Sequence, residues 1–418
     1  MGKKLIIVFI VISALELFNI TFLGSNFIKI FQLAGIALMA VILVVQMVYQ
    51  KEIDFQKHFN LELLLILGGV FLSMFMAQWG HDQSLSTTFI AQRFMYFYLA
   101  YWVLHSIKAS IEDIEELIFW FGIGFSILYL IQYMVHPTVI FDVRIAEVRE
   151  TVRIFLPGFF FLILAYFLTL NRLFESFSVG KLMAVFLFVS IVILMGTRQV
   201  IFSTMLLTII NVLFSKTIKS KILILMLMVS MVIPIIFIFQ EIFISLIDLS
   251  KDQSETLEEN VRLRAAVFFL TELFPNSASY ITGNGADSYN SSYGYMIQMY
   301  RDTYGFYQSD IGLIGDYVRF GTLFALGALL ILFRMIFSKT NTSYAYFKYF
   351  YLSILLTLFT GGGPFAQADS IVAICFTLYI MYIDKHDRSV ADEEADIENE
   401  HEYEPSEAFN DNHYLNRN

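Results

Sequence analysis

Apolar runs of bilayer-crossing length recur along this chain up to residue 383, and they restrict its fold more than any other feature. A helix that crosses the hydrocarbon layer needs ~17–25 mainly apolar residues. In lipid every backbone N–H and C=O has to be satisfied within the segment, so helices are the default spanning form. The alternating strands of a membrane barrel are absent. Twelve spans are predicted, at about 5–23, 27–48, 61–79, 89–107, 117–135, 154–170, 182–197, 199–214, 222–244, 311–333, 348–363 and 366–383. The expected fold is all-α: a polytopic integral membrane protein of about twelve transmembrane helices with one large external loop. The first run follows Lys3 and Lys4 and is too long for a signal peptide, with no small-residue cleavage pattern after it, so an uncleaved anchor is expected.

Charge placement orients this scaffold. Lys3, Lys4, Lys51, Lys57, Lys108, Lys181, Lys216, Lys219, Lys221, Lys339, Lys348 and Lys385 all fall on one side of the twelve-span count. By the positive-inside rule that side is cytoplasmic, and both termini lie there. The formal net charge of −10 belongs almost wholly to the tail. Residues 384–418 hold 12 acidic and 3 basic side chains, a net of −9. The other residues are close to neutral, so no nucleic-acid partner is suggested. Residues 1–383 are expected to form the helical domain, and the acidic tail a disordered cytoplasmic extension. One cysteine, Cys375, excludes an intrachain disulfide. The histidines are dispersed, with no metal-binding spacing, and no metal is expected.

Arginine departs from the lysine pattern. Nine of the 13 arginines fall outside or at the outer edge: Arg93, Arg144, Arg149, Arg153, Arg198, Arg262, Arg264, Arg301 and Arg319. A guanidinium presents a planar fork of donors that suits phosphate or carboxylate. The alternative is pairing with external acids such as Asp142, Glu147, Glu150 and Glu258. Gly196-Thr197-Arg198 forms an external turn with almost no loop, where Arg198 either holds an anion in a cavity or snorkels to the interface.

The one long hydrophilic stretch between spans, about 245–310, is the expected external loop. It carries Arg262 and Arg264, which point different ways on a helix. One is expected to face a site and the other to pair with an acid. Gly283-Asn284-Gly285 reads as a tight turn, with an anion nest as the alternative. Asp287 follows it. Seven tyrosines, Tyr289 and Tyr293 among them, suit sugar stacking or a membrane interface. The loop closes on Ser309-Asp310-Ile311-Gly312. Asp310 has no local partner, whereas Asp316 and Arg319 are spaced to pair on one helix face. Gly312, Gly315 and Gly321 permit close helix contact.

This pattern resembles the O-antigen and exopolysaccharide (capsule) polymerase family, which is related to the O-antigen ligases. The resemblance rests on Gly196-Thr197-Arg198, on an Arg-led helix at Arg262 and Arg264, on Gly283-Asn284-Gly285, and on Ser309-Asp310 leading into the glycine-spaced segment up to Gly321. Many members carry His-Asn where the loop re-enters the membrane; here the residues are Ser309 and Asp310. The resemblance implies a glycosyltransferase-C-like fold and a metal-independent, inverting glycosyltransferase in the bacterial plasma membrane, without cofactor and with its site external. Its substrate would be an oligosaccharide on polyprenyl (undecaprenyl) pyrophosphate, and its partners a chain-length regulator and other polysaccharide-assembly proteins. The roles implied are pyrophosphate binding by Arg198 and Arg262 or Arg264, and proton acceptance by Asp310, with Asp287 second. Substrate contacts would come from Tyr289, Tyr293 and Arg319. A ligase and a lipid-linked-sugar flippase are the alternatives.

Overall fold

The computed structural model describes residues 2–50, 58–148, 151–215, 260–359 and 361–402. The expected span at 222–244, the start of the loop and Arg149 lie outside these residues. The chain is α-helical. Among the described residues four helices are long and apolar enough to cross a membrane: Ser25–Tyr49, Asn60–His81, Ile111–Val135 and Leu313–Phe337.

Helix α1 (Gly2–Ala14) is followed by α2 (Ser25–Gln50), α3 (Asn60–His81), α4 (Leu85–Ala91) and α5 (Ala100–Ile107). Then come α6 (Ile111–Val135), α7 (Phe159–Glu175), α8 (Val179–Leu194) and α9 (Arg198–Phe214). The loop carries α10 (Val261–Thr271), α11 (Ser279–Thr282) and α12 (Ser292–Tyr304). Helices α13 (Leu313–Phe337), α14 (Tyr346–Thr357) and α15 (Ala368–Glu402) complete the fold.

Two of the expected spans are broken. Residues 5–23 do not form one helix, because α1 stops at Ala14 and Glu16, Leu17, Phe18 and Asn19 all take left-handed φ angles. Such a conformation costs ~1–2 kcal/mol per non-glycine residue. It is offset by tertiary bonds: Asn19 Nδ2 and Gln32 Nε2 donate to the Glu16 carboxylate at 2.8 and 2.9 Å, and Asp142 N donates to Asn19 O at 2.6 Å. The segment 89–107 is split by a 3-10 stretch, Arg93–Leu99, between α4 and α5. Helix α15 runs on to Glu402, beyond the end of the expected last span.

One short hairpin accompanies the helices. A two-stranded antiparallel hairpin, β1 (Ile145–Val148) and β2 (Thr151–Ile154), precedes α7, with Ile145 opposite Ile154 and Ala146 opposite Arg153. Its β-branched residues fit a short pleated pair. Ile20 bridges to Phe141, so the left-handed stretch after α1 holds the strand leading into the hairpin.

Helices α3 and α13 pack closely and antiparallel. A Cβ at Gly69 would meet Phe324 N at 2.7 Å, and one at Gly327 would meet Glu62 O at 2.6 Å, so glycine lets the two backbones touch. The loop has a small core of its own. Ala265, Phe269, Tyr293, Ile297 and Phe306 gather against Ile311 and Val318 at the entry to α13. The loop is therefore a folded cap seated on one end of the helical bundle.

Candidate functional site

The cap, the hairpin and the Met195–Thr197 turn meet at the same end of the bundle. Gly196 takes φ 62°, which a side chain rarely adopts, and the turn delivers Arg198 as the first residue of α9. Thr197 at the N-cap makes no side-chain capping bond. A helix N-terminus leaves backbone donors and a partial positive charge facing outward, so an Arg there adds like charge to like. Arg153 reaches across from β2 and donates through Nη2 to Gly196 O at 2.9 Å, while its Nε is buried without a hydrogen-bond partner. Burial first, and then the charges of Arg198 and Arg262, push the Arg153 pKa down. Arg153, bound to the turn before α9, thus lies within electrostatic reach of Arg198 and Arg262. Neither Arg153 nor Arg262 has a carboxylate partner among the described residues.

The two loop arginines divide as α10 dictates. Asn260 caps that helix by accepting from Arg262 N at 3.0 Å, and the Arg262 side chain is exposed. The Arg264 guanidinium lies 5.9 Å from the Phe306 ring centre. Two further arginines share one ring. Arg144 and Arg301 lie 5.2 and 5.3 Å from the centre of Tyr307. Asp310 sits one turn after Tyr307, in a 3-10 turn where Asp310 N donates to Tyr307 O at 3.1 Å. Asp310 is half-buried, and its carboxylate accepts from Ser309 Oγ at 3.4 Å. A half-buried carboxylate at the mouth of the cap is chemically able to accept a proton from a bound hydroxyl.

Other candidates are engaged elsewhere. Arg319 closes on Asp316 at 2.6 Å, and Asp316 is 0% exposed. Arg319 is therefore tied into a buried ion pair rather than presented to a substrate. Tyr293 is 1% exposed and stacks on His81 with ring centres 4.1 Å apart, which removes it from sugar binding. Burial, with Asp287 nearby, pushes its phenol pKa up. Tyr289 stays 69% exposed, its hydroxyl accepting from Gln298 Nε2 at 3.0 Å. Asp287 is half-buried on the Tyr293 side of the cap, away from the α9 turn.

Gly283-Asn284-Gly285 is a clasp and not an anion nest. Gly321 breaks the hydrogen-bond ladder of α13 with φ 78° and ψ −171°. The Val318 and Arg319 carbonyls then accept from Asn284 N at 3.0 Å and Gly285 N at 2.7 Å. The donors a nest would offer an anion are spent on main-chain oxygens. Gln83, just beyond α3, fixes the next stretch: its Nε2 donates to Ala286 O at 2.8 Å, and its Oε1 accepts from Ser288 N at 2.9 Å and Ser291 Oγ at 2.6 Å.

Sequence reasoning missed Arg153 as a site residue and Gln83 as a loop anchor. Arg153 was visible only as one of nine outer arginines; the strand alternation of Thr151-Val152-Arg153-Ile154 was the available signal. Among the described residues no group of three or more His, Cys, Asp or Glu gathers to hold a metal. The chain matches no protein-family model, no curated protein and no solved structure.

Proposed function

We propose that this protein is a polysaccharide polymerase that joins polyprenyl-pyrophosphate-linked oligosaccharide repeat units at the outer face of a bacterial plasma membrane. In this reading the chain makes twelve spans, both termini are cytoplasmic, and the cap faces outward. The reading rests on one observation above the rest: Arg153 is bound to the Gly196 carbonyl beside the start of α9, half-buried and within electrostatic reach of Arg198 and Arg262. Like charges held together at the positive end of a helix dipole are stabilised by a bound anion, and a pyrophosphate carries the charge and the oxygen geometry that guanidinium forks suit.

The chemistry follows from that group. A sugar hydroxyl of the acceptor attacks the anomeric carbon of the donor, the C–O bond to the pyrophosphate breaks, and the polyprenyl pyrophosphate departs with the bonding electrons. Arginines preorganised around the leaving group stabilise the charge that develops there. Asp310 takes the proton of the attacking hydroxyl. Attack opposite the leaving group inverts the anomeric centre. Arg144, Arg301 and the exposed Tyr289 line the approach for the glycan.

Reconstitution of the purified protein with a lipid-linked repeat unit tests the reading. Polymerisation gives a ladder of longer glycans and releases polyprenyl pyrophosphate. Transfer to a different acceptor without lengthening would make the protein a ligase, and transbilayer movement with no covalent change would make it a flippase.

A further inference from the structure

Arg144, just before β1, and Arg301, in the last turn of α12, come from segments remote in sequence and meet at one ring, 5.2 and 5.3 Å from the centre of Tyr307. Their guanidinium carbons are therefore no farther apart than those two distances laid end to end. Neither has a carboxylate within ion-pair distance among the described residues. Arg144 is exposed; Arg301 is half-buried, and its Nε is buried without a hydrogen-bond partner. The face of a tyrosine attracts each cation but does not cancel their mutual repulsion. An oxyanion shared between them does, and it gives the orphaned Nε an acceptor. An apolar surface adjoins the pair. Arg144 also lies 5.4 Å from the ring centre of Phe155, which is 53% exposed, and Phe155 N donates to Arg144 O at 3.0 Å.

These two arginines are not those assigned to the pyrophosphate, so they serve a second anionic group. Its place in the reaction follows from the turn that carries Tyr307, whose carbonyl accepts from Asp310 N at 3.1 Å. A 3-10 turn rises about 2 Å per residue, so Tyr307 and Asp310 are neighbours on the backbone, and a group bound at Tyr307 belongs to the sugar whose hydroxyl gives its proton to Asp310. We infer that the acceptor end of the repeat unit carries a hexuronic acid, whose carboxylate bridges Arg144 and Arg301 while the C–H face of its ring lies on Phe155. The inference rests on the polymerase reading and adds the charge and class of the acceptor sugar. A neutral sugar would leave both guanidiniums uncompensated, and a phosphate substituent would satisfy the arginines without using the exposed ring. A carboxylate fixed at two points orients the attacking hydroxyl and selects acidic repeat units over neutral ones.

The test uses the full-length protein in nanodiscs and the lipid-linked repeat unit that accumulates in cells lacking this protein. Sugar analysis of that unit should find a hexuronic acid at its non-reducing end; a neutral or a phosphate-bearing end overturns the inference. Polymerisation is then compared between the native unit and a synthetic counterpart with –CH2OH in place of –COO⁻. The native unit should be used with at least about tenfold higher kcat/KM, the scale of a charge-assisted hydrogen bond. In Arg144→Gln, an exposed position, and in Arg301→Gln that advantage should shrink to about threefold or less, mainly through KM, with part of it restored in Arg144→Lys. Equal use of the two units overturns the inference and leaves the polymerase reading standing. So does an undiminished advantage in both glutamine variants. If no lipid-linked unit accumulates, or neither form is polymerised, the polymerase reading fails and the inference falls with it.

Discussion

Arg334, Arg172 and Arg388 stand at the end of the bundle away from the cap, and each reaches a carboxylate: Glu62, Glu115 and Asp384. Tyr346 adds a hydrogen bond to Glu115 at 2.7 Å, and Arg388 also donates to Lys339 O at 2.7 Å. At the capped end Arg144, Arg264 and Arg301 rest on aromatic rings, and Arg153 on a main-chain carbonyl beside two more arginines. Helix α13 carries both kinds of environment, with Arg334 paired to Glu62 at one end and the cap arginines beyond the other. Asp316 with Arg319 is an ion pair at the capped end among the described residues. The difference separates two uses of one residue type. A buried pair whose partner is removed costs ~3–5 kcal/mol, so paired arginines fasten helices together. Arg153, held by a single carbonyl with its Nε unsatisfied, keeps donors to spare for an anion brought from outside.

Four tests put that contrast at risk, beginning with the largest expected effect. Asp310→Asn is nearly isosteric and removes the proton acceptor. Polymer formation by the reconstituted protein should drop about 10²–10⁴-fold with abundance unchanged. Wild-type turnover in Asp310→Asn together with loss in Asp287→Asn would move the base to the clasp side of the cap. Next come Arg153→Lys and Arg198→Lys, which keep the charge and lose the fork. Each should cut turnover on the order of 10²-fold, while Arg264→Lys, whose guanidinium packs on Phe306, should cost far less. Equal effects at all three positions would erase the distinction between the α9 group and the ring-stacked arginines.

The third test moves to the other end of the bundle. Glu62→Ala leaves Arg334 uncompensated and should destabilise the fold on the order of 3 kcal/mol. Abundance and the unfolding midpoint should fall while the activity of the folded fraction holds. A selective loss of activity at normal abundance would mean that this end also takes part in function. The smallest effect concerns His58, which accepts from Arg334 Nη2 at 2.7 Å. Burial, then the charges of Arg334 and Lys385, lower its pKa from 6.5 to about 4. A depressed histidine pKa means that the unfolded chain takes up a proton before the native one does. Stability is therefore full above pH 6.5 and declines as pH falls toward about 4. Thermal unfolding in detergent across that window should show the decline, and His58→Gln should flatten it.

Much of the helical layout was legible because burial in lipid imposes its own rule on each segment. The runs at 27–48, 61–79, 117–135 and 311–333 correspond to α2, α3, α6 and α13. The break after Ala14 was not legible. Glu16 to Asn19 take left-handed angles only because Gln32 and Asp142, remote in sequence, supply bonds that offset the strain. The site was legible in part for the same reason. Arg198 announced itself by standing in a turn with no loop, and Asp316 with Arg319 by helical spacing. Tyr293 misled because a tyrosine suits a sugar and a core equally well, and only its stacking on His81 decides between them.

The sequence by itself determined that this is a chain of apolar helices with one polar excursion, and that lysine and arginine partition differently along it. Those are properties of single segments, set by the cost of leaving backbone and charge unsatisfied in lipid. Only the tertiary structure decided which arginines share a space. Arg153 comes from a hairpin, Arg198 from a helix start and Arg262 from the cap, and no local pattern relates them. Their proximity is fixed by long-range contacts: the Gly196 carbonyl that takes Arg153, the glycine break in α13 that grips the cap, and the Phe306 cluster that seats α10.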